Sequence, residues 1–285
     1  MKKITIVGVG LIGGSLGISL RNRRKKYHVV GFGRNRTKLI KAKKLGAVDE
    51  FTTNLGESVR ESDVIVICSP VDLIPKIAKK ILPYVKNGAI ITDVGSVKRN
   101  IIKLVTKIVN KKKNGTCFIG AHPMAGSEKT GIGNAEKYLY KGATVVLIKN
   151  KRTPIKQLDT VKQMWQDAGA KTIFMDETIH DRVVASTSHL PHVIAYNLCL
   201  LVSSIKTKAS LSKVLAGSFK DLTRVALSDP RSWSAICSEN SKELKKTINI
   251  FIKTLEQVRN RLGKPRDIEK IFTRANLARQ KLLNI

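Results

Sequence analysis

Acidic side chains are in short supply. The 285 residues hold 21 Asp and Glu against 53 Lys and Arg, a formal net charge of +32. Aromatic residues make up only 5%, so platforms on which single-stranded bases could stack are scarce. The cations are spread over nearly every segment. Their short clusters at 21–26, 111–113 and 149–152 sit where helices end or loops begin. That distribution reads as the solvated surface of an enzyme and argues against a dedicated nucleic-acid binder. Cysteine is sparse too: Cys68, Cys117, Cys199 and Cys237 lie far apart and form no CxxC pair. They fit neither a metal site nor a disulfide scaffold, and imply reduced, mostly buried thiols in a cytoplasmic protein. No later run of about 18 apolar residues exists to span a membrane as a helix. The N-terminus imitates a leader, with Met1-Lys2-Lys3 before an apolar stretch. That stretch, however, carries Gly8, Gly10, Gly13, Gly14 and Gly17 and runs into cations, not into a small-residue cleavage site.

What is present is alternation. With 42% hydrophobic residues the chain can bury a sizeable core. β-rich runs at 3–8, 28–33, 63–70, 88–96, 117–123 and 142–149 alternate with helical stretches at 14–23, 35–46, 72–85 and 98–111. This spacing predicts an α/β fold with a parallel, doubly wound sheet. A helix over 154–168 and a last strand over 170–175 follow. After about Asp176 no convincing strand remains, and apolar residues recur at helical spacing, as at Leu244, Ile248, Phe251, Ile252 and Leu255. The expected division is a nucleotide-binding domain over 1–176 and an all-helical domain over 177–285.

Gly8-Val9-Gly10-Leu11-Ile12-Gly13 matches G-x-G-x-x-G between a strand and a helix. The first glycine permits the tight turn, the second lets backbone approach a pyrophosphate, and the third lets helix pack on strand. The helix N-terminus offers free N–H groups to the phosphates. Gly8, Gly10, Leu11, Ile12 and Gly13 are therefore candidate cofactor contacts, with Ser69 and Pro70 expected to complete them. NAD-preferring proteins usually place Asp or Glu about 20 residues on, for the ribose 2′-hydroxyl. Here that place holds Gly33, followed by Arg34, with Arg36 close by. A missing carboxylate and a nearby guanidinium favour a 2′-phosphate, so NADP is preferred and NAD remains possible.

Four further stretches carry chemistry. "TDVGSVK" (92–98) puts Ser96 at the carboxyl edge of the sheet, where ligands bind in open α/β folds. "GAHPMAGSE" (120–128) puts His122 at the same edge. "TSHLPH" (187–192) is expected to begin a helix, and "SFKDLTRVALSDPRSW" (218–233) sets Asp221 and Arg224 one helical turn apart on one face. With "HPMAGSE", "SHLPH" and "DLTRVALSDP" in this order, the chain resembles the prephenate dehydrogenase family, including the similar arogenate dehydrogenases, nearly end to end.

The resemblance implies a Rossmann-type domain followed by a helical domain that builds a homodimer. It implies oxidative decarboxylation of prephenate in tyrosine biosynthesis, or of L-arogenate in the alternative. It assigns His122 as the catalytic base on the substrate's ring hydroxyl. Ser96 helps it, tying that hydroxyl to the nicotinamide end of the cofactor. Arg224 binds a substrate carboxylate and His189 is a second substrate contact. Glu128 and Asp221 belong to an ionic network around Arg224, though Asp221 reads equally as an intrahelical partner of that arginine. His180 and His192 read as packing residues near the domain junction. A monofunctional enzyme is expected, without a fused chorismate mutase or regulatory domain. A β-hydroxyacid dehydrogenase and a nucleic-acid-binding protein of Rossmann shape are the remoter alternatives.

Overall fold

A computed structural model describes residues 1–21, 25–149, 151, 153–206 and 213–283. The basic clusters at 21–26 and 149–152 thus lie partly outside the described residues. The chain comprises two compact units, Met1–Asn240 and Ser241–Ile285. The larger begins β1 (Lys2–Val7), α1 (Leu11–Arg21), β2 (Tyr27–Phe32), α2 (Arg36–Lys44), β3 (Glu50–Thr52) and α3 (Leu55–Val59). It continues with β4 (Val64–Ile67), α4 (Ile74–Ile81), β5 (Ile90–Asp93), α5 (Arg99–Val109) and β6 (Cys117–Ile119). These six strands form one parallel sheet in the order β3-β2-β1-β4-β5-β6.

Strand alternation explains why both faces are covered. Val64 and Val66 join Ile4, Ile6 and the α1 residues Leu16 and Leu20 in one core. Ile65 and Ile67 face the other way, onto Ile74 and Ile81 of α4 and Ile101 and Val105 of α5. A strand buried on both faces must be apolar throughout, which is what "VIVI" provides. The strand order reverses between β1 and β4, opening a crevice beyond their carboxyl ends.

The strand expected over 117–123 is two strands in two sheets. A side chain at Gly120 would press on Ile102 Cδ1 at 2.6 Å, and the chain turns there. β7 (Ala121–Pro123) leaves the parallel sheet and pairs antiparallel with β8 (Thr144–Ile148). β8 pairs in parallel with β9 (Lys171–Met175) after α6 (Ile155–Asp167). α6 buries Leu158, Val161, Met164 and Trp165 in the first core.

After residue 176 the described residues hold no strand. α7 (Glu177–Val184) starts under an Asp176 cap and runs through a π-helical turn, Ala185–His189, into α8 (Leu190–Ser203). The helix start expected in "TSHLPH" is therefore mid-helix. Pro191 has no N–H for the carbonyl one turn back, and the helix widens by a residue to pass it. α9 (Gly217–Thr223), a 3-10 turn (Arg224–Leu227) and α10 (Pro230–Glu239) complete the unit. The smaller unit holds α11 (Ser241–Arg259) and α12 (Pro265–Leu283). All four cysteines are free and half-buried, less enclosed than expected. Among the described residues no helix is long and apolar enough to cross a membrane.

Candidate active site

The glycine turn closes β1 against its neighbours. The Gly8 N–H donates to the Phe32 carbonyl at 3.0 Å, tying the turn to the end of β2, where Gly33 and Arg34 follow. Gly8 has φ +104°, and a Cβ there would collide with the Cys68 carbonyl at the end of β4. A Cβ at Gly13 would collide with the Gly8 carbonyl and the Ile6 side chain. A Cβ at Gly10 would meet nothing within 4 Å. Two glycines are thus required by packing, while the third faces open space where a ligand can approach. The first α1 amides, at Leu11 and Ile12, precede the first intrahelical bond, Gly14 N–H to the Gly10 carbonyl at 2.8 Å. This cradle fits a dinucleotide. Ser69 lies beside it, its hydroxyl 3.4 Å from where a Gly8 Cβ would be, and Pro70 is exposed next to it. Arg34 is exposed just beyond β2, and Asn35 after it caps α2.

His122 sits on β7 and is buried. Its Nδ1 lies 2.9 Å from His180 Nε2, and His180 Nδ1 lies 2.7 Å from Asp181 Oδ1. The Asp181 carboxylate also accepts the N–H groups of Lys98 at 2.8 Å and Arg99 at 2.9 Å, at the start of α5. With two backbone donors on it, Asp181 is the anionic end of the line. His180 must then donate from Nδ1 and accept at Nε2, and His122 must donate from Nδ1. The lone pair of His122 is left on Nε2. Burial first, and then His180, Lys98 and His189, hold the His122 imidazole well below its ordinary pKa, so it is neutral. His180, expected to be a packing residue, is the middle of a hydrogen-bonded line.

Ser96 is half-buried in the loop after β5, and its hydroxyl makes no hydrogen bond to another described residue. His122 and Ser96 thus share an edge without touching through a bond. His189, in the π turn, is buried, and its Nδ1 accepts from Asn240 Nδ2 at 3.1 Å. Asn240 Nδ2 also donates to the Asp181 carbonyl at 2.8 Å, which fixes its orientation. His189 Nε2 therefore carries a proton, and it has no partner among the described residues. Burial, opposed by Asp181, pushes the His189 pKa down to about 4.

Arg224 Nη1 meets Glu128 Oε2 at 3.1 Å, joining the 3-10 turn to the loop of the "HPMAGSE" motif. Arg224 also lines an open, mostly apolar cavity of about 500 Å³ with Tyr196 and Thr223. Asp221 is exposed and forms no ion pair among the described residues. The expected partnership of Asp221 with Arg224 is absent because α9 ends at Thr223 and the tighter 3-10 turn redirects Arg224. His192 stacks on Trp233 with ring centroids 3.4 Å apart. Burial chiefly, and Arg224 in part, lower its pKa. His192 thus packs on Trp233, as expected, and lies in electrostatic reach of Arg224 as well.

Family models agree with this arrangement. One described as "Prephenate dehydrogenase, nucleotide-binding domain" matches residues 16–174, and "Prephenate dehydrogenase, dimerization domain" matches 176–274. The chain belongs to the prephenate dehydrogenase family. It is accordingly an NAD-dependent oxidoreductase in class. A cyclohexadienyl dehydrogenase of Zymomonas mobilis is 33% identical over 92% of this chain and 89% of its own. A prephenate dehydrogenase of Lactococcus lactis is 32% identical over 98% of this chain and 77% of its own. A crystal structure of prephenate dehydrogenase from A. aeolicus, in complex with hydroxyphenyl propionate and NAD+, superposes with a TM-score of 0.91 at 34% identity. It covers 99% of this chain and 98% of that one.

Proposed function

We propose that this chain oxidises prephenate, with loss of carbon dioxide, to 4-hydroxyphenylpyruvate in tyrosine biosynthesis, acting as a cytoplasmic homodimer. The observation that carries the reading is the His122–His180–Asp181 line, which leaves a neutral His122 with its Nε2 lone pair free. The bound cofactor supplies a hydride acceptor. His122 takes the ring hydroxyl's proton as a general base, and Ser96, whose hydroxyl is uncommitted, orients that hydroxyl. Arg224 binds a substrate carboxylate through its guanidinium fork, releasing Glu128 to do so. The neutral His189 offers its unpaired Nε2–H as a second hydrogen bond to substrate. Loss of carbon dioxide makes the ring aromatic and drives the reaction forward, so the protein needs only to position and to hold one proton. The relatives' names support the substrate class, and the matched dimerization domain supports the homodimer. We retain residue 176 as the domain boundary, since strands give way to helices there.

For the cofactor we propose a preference for NADP. Gly33 and Arg34 follow the strand that the glycine turn is bonded to, and no carboxylate stands there to repel a 2′-phosphate. Gly8, Gly10, Leu11, Ile12, Gly13, Ser69 and Pro70 hold the pyrophosphate and nicotinamide half. The test is a four-way assay of prephenate and L-arogenate with NAD and NADP. Turnover with prephenate and NADP above the other three pairs supports the reading. Turnover of neither substrate overturns it. Gly33→Asp with Arg34→Ile must shift the preference toward NAD; an unchanged ratio refutes the cofactor argument.

A further inference from the structure

We propose that the buried Asp93–Lys98 pair is the positioning device of this active site, clamping the strand that carries His122 and the loop that carries Ser96 into one register. The inference rests on the reading of His122 as the base. Both side chains are completely buried, and they form an ion pair. Lys98 Nζ also donates to the Ala121 carbonyl at 2.8 Å, and Asp93 Oδ1 accepts the Ala121 N–H at 3.1 Å. Both backbone polar groups of the residue before His122 are therefore held by this one pair. β7 is the edge strand of its sheet, so its outer N–H and C=O groups have no neighbouring strand to bond. The ion pair stands where that strand would be. It joins the second sheet to the end of β5.

The same pair shapes the Ser96 loop. Asp93 Oδ2 accepts the Gly95 N–H at 2.9 Å, so Ser96 is bracketed between that bond and Lys98. The Lys98 backbone N–H in turn anchors Asp181, the end of the histidine line. A fully buried ion pair is weak evidence for stability, because desolvating two charges costs as much as or more than their attraction returns. Apolar side chains could fill this space. They could not satisfy both Ala121 groups. The charge also acts directly: the ionisable groups set against His122 are His180, His189 and Lys98, with Asp93 behind Lys98 and Asp181 behind His180. Lys98 opposes the imidazolium; burial lowers the Lys98 pKa, and Asp93 and Asp181 act against that lowering.

The test compares Lys98→Met and the double variant Asp93→Asn with Lys98→Met against wild type. Lys98→Met alone strands a buried carboxylate and is expected to be less stable. The double variant leaves no charge at this pair and is expected to fold and bind cofactor like wild type. Its kcat should fall by on the order of 10- to 100-fold, the cost of a misplaced catalytic group, with KM little changed. With the Lys98 charge gone, His122 protonates more readily, so the acid limb of kcat/KM should move to higher pH. A double variant with wild-type kcat overturns the proposal, as does an unmoved acid limb. Failure of both variants to fold also overturns it, since the pair then serves the fold. Absence of turnover in wild type with either substrate would instead overturn the functional reading.

Discussion

Asp181→Asn is the most direct probe of the histidine line. The carboxylate accepts three bonds, from His180 Nδ1 at 2.7 Å and from the Lys98 and Arg99 amides at 2.8 and 2.9 Å. His180 Nδ1 and the Lys98 amide share Oδ1 while the Arg99 amide holds Oδ2, so the asparagine NH2 meets a backbone N–H whichever way it turns, and turned to Oδ1 it faces His180. His180 must then accept at Nδ1 and donate from Nε2. His122 Nδ1 becomes an acceptor, and the proton moves to His122 Nε2, where the lone pair is needed. The lost charge-assisted bond is worth about 1.5–3 kcal/mol of stability. General-base assistance is worth about 10²–10⁴ in rate, and kcat should fall within that range. Cofactor affinity should not change, because the glycine turn has no part in the line. The assay is formation of reduced nicotinamide with saturating prephenate, alongside a thermal melt. Groups that act as a unit are non-additive, so Asp181→Asn in a His122→Asn background should cost little more. A folded Asp181→Asn variant with kcat within a few-fold of wild type refutes the line, and so does a double variant that falls by the product of the singles.

His122→Asn alone should lose most turnover while still binding cofactor; near-normal turnover removes His122 as the base. Stability should fall as pH drops below about 6.5, because unfolded histidines protonate while His122 and His189 stay neutral in the fold. For His189, with its pKa near 4, the loss accrues between those values and reaches on the order of 3 kcal/mol; a urea midpoint unchanged from pH 7 to pH 4.5 contradicts it. Arg224→Ala should leave the thermal midpoint nearly unchanged, since its bridge to Glu128 is exposed and worth under about 1 kcal/mol. The lost bond to substrate should lower kcat/KM by about 10- to 150-fold, and a normal kcat/KM would remove Arg224 from the site. Gly8→Ala, which drives a Cβ onto the Cys68 carbonyl at a φ of +104°, should cost stability and weaken cofactor binding, both read by melting with and without NADP.

The parallel sheet is readable because its strands are short apolar runs bounded by glycine, and because each core face takes every second residue. β3 and α3 escape that reading: three and five residues are too few for a period to emerge. The split at Gly120 escapes it as well, since "CFIGAHP" is continuous in hydrophobicity and only the crowding by Ile102 shows where the chain must leave the sheet. That split has consequences for the site. It carries β7 away from β6 and brings His122 to His180, 58 residues distant in the chain, a pairing no local spacing encodes. Lys98 is the harder case. Among 53 basic residues a lysine reads as one more surface cation. In such a chain it is the scarce acidic residues that discriminate. Among the described residues Asp93 and Asp181 are the buried aspartates. A buried carboxylate must be paired or well hydrogen-bonded, so each marks a place where donors converge. Asp93 collects Lys98, Gly95 and Ala121; Asp181 collects His180, Lys98 and Arg99. Both meet at Lys98, one through its side chain and the other through its backbone. In a chain so short of negative charge, both buried aspartates thus serve to hold His122, the proposed base, in place.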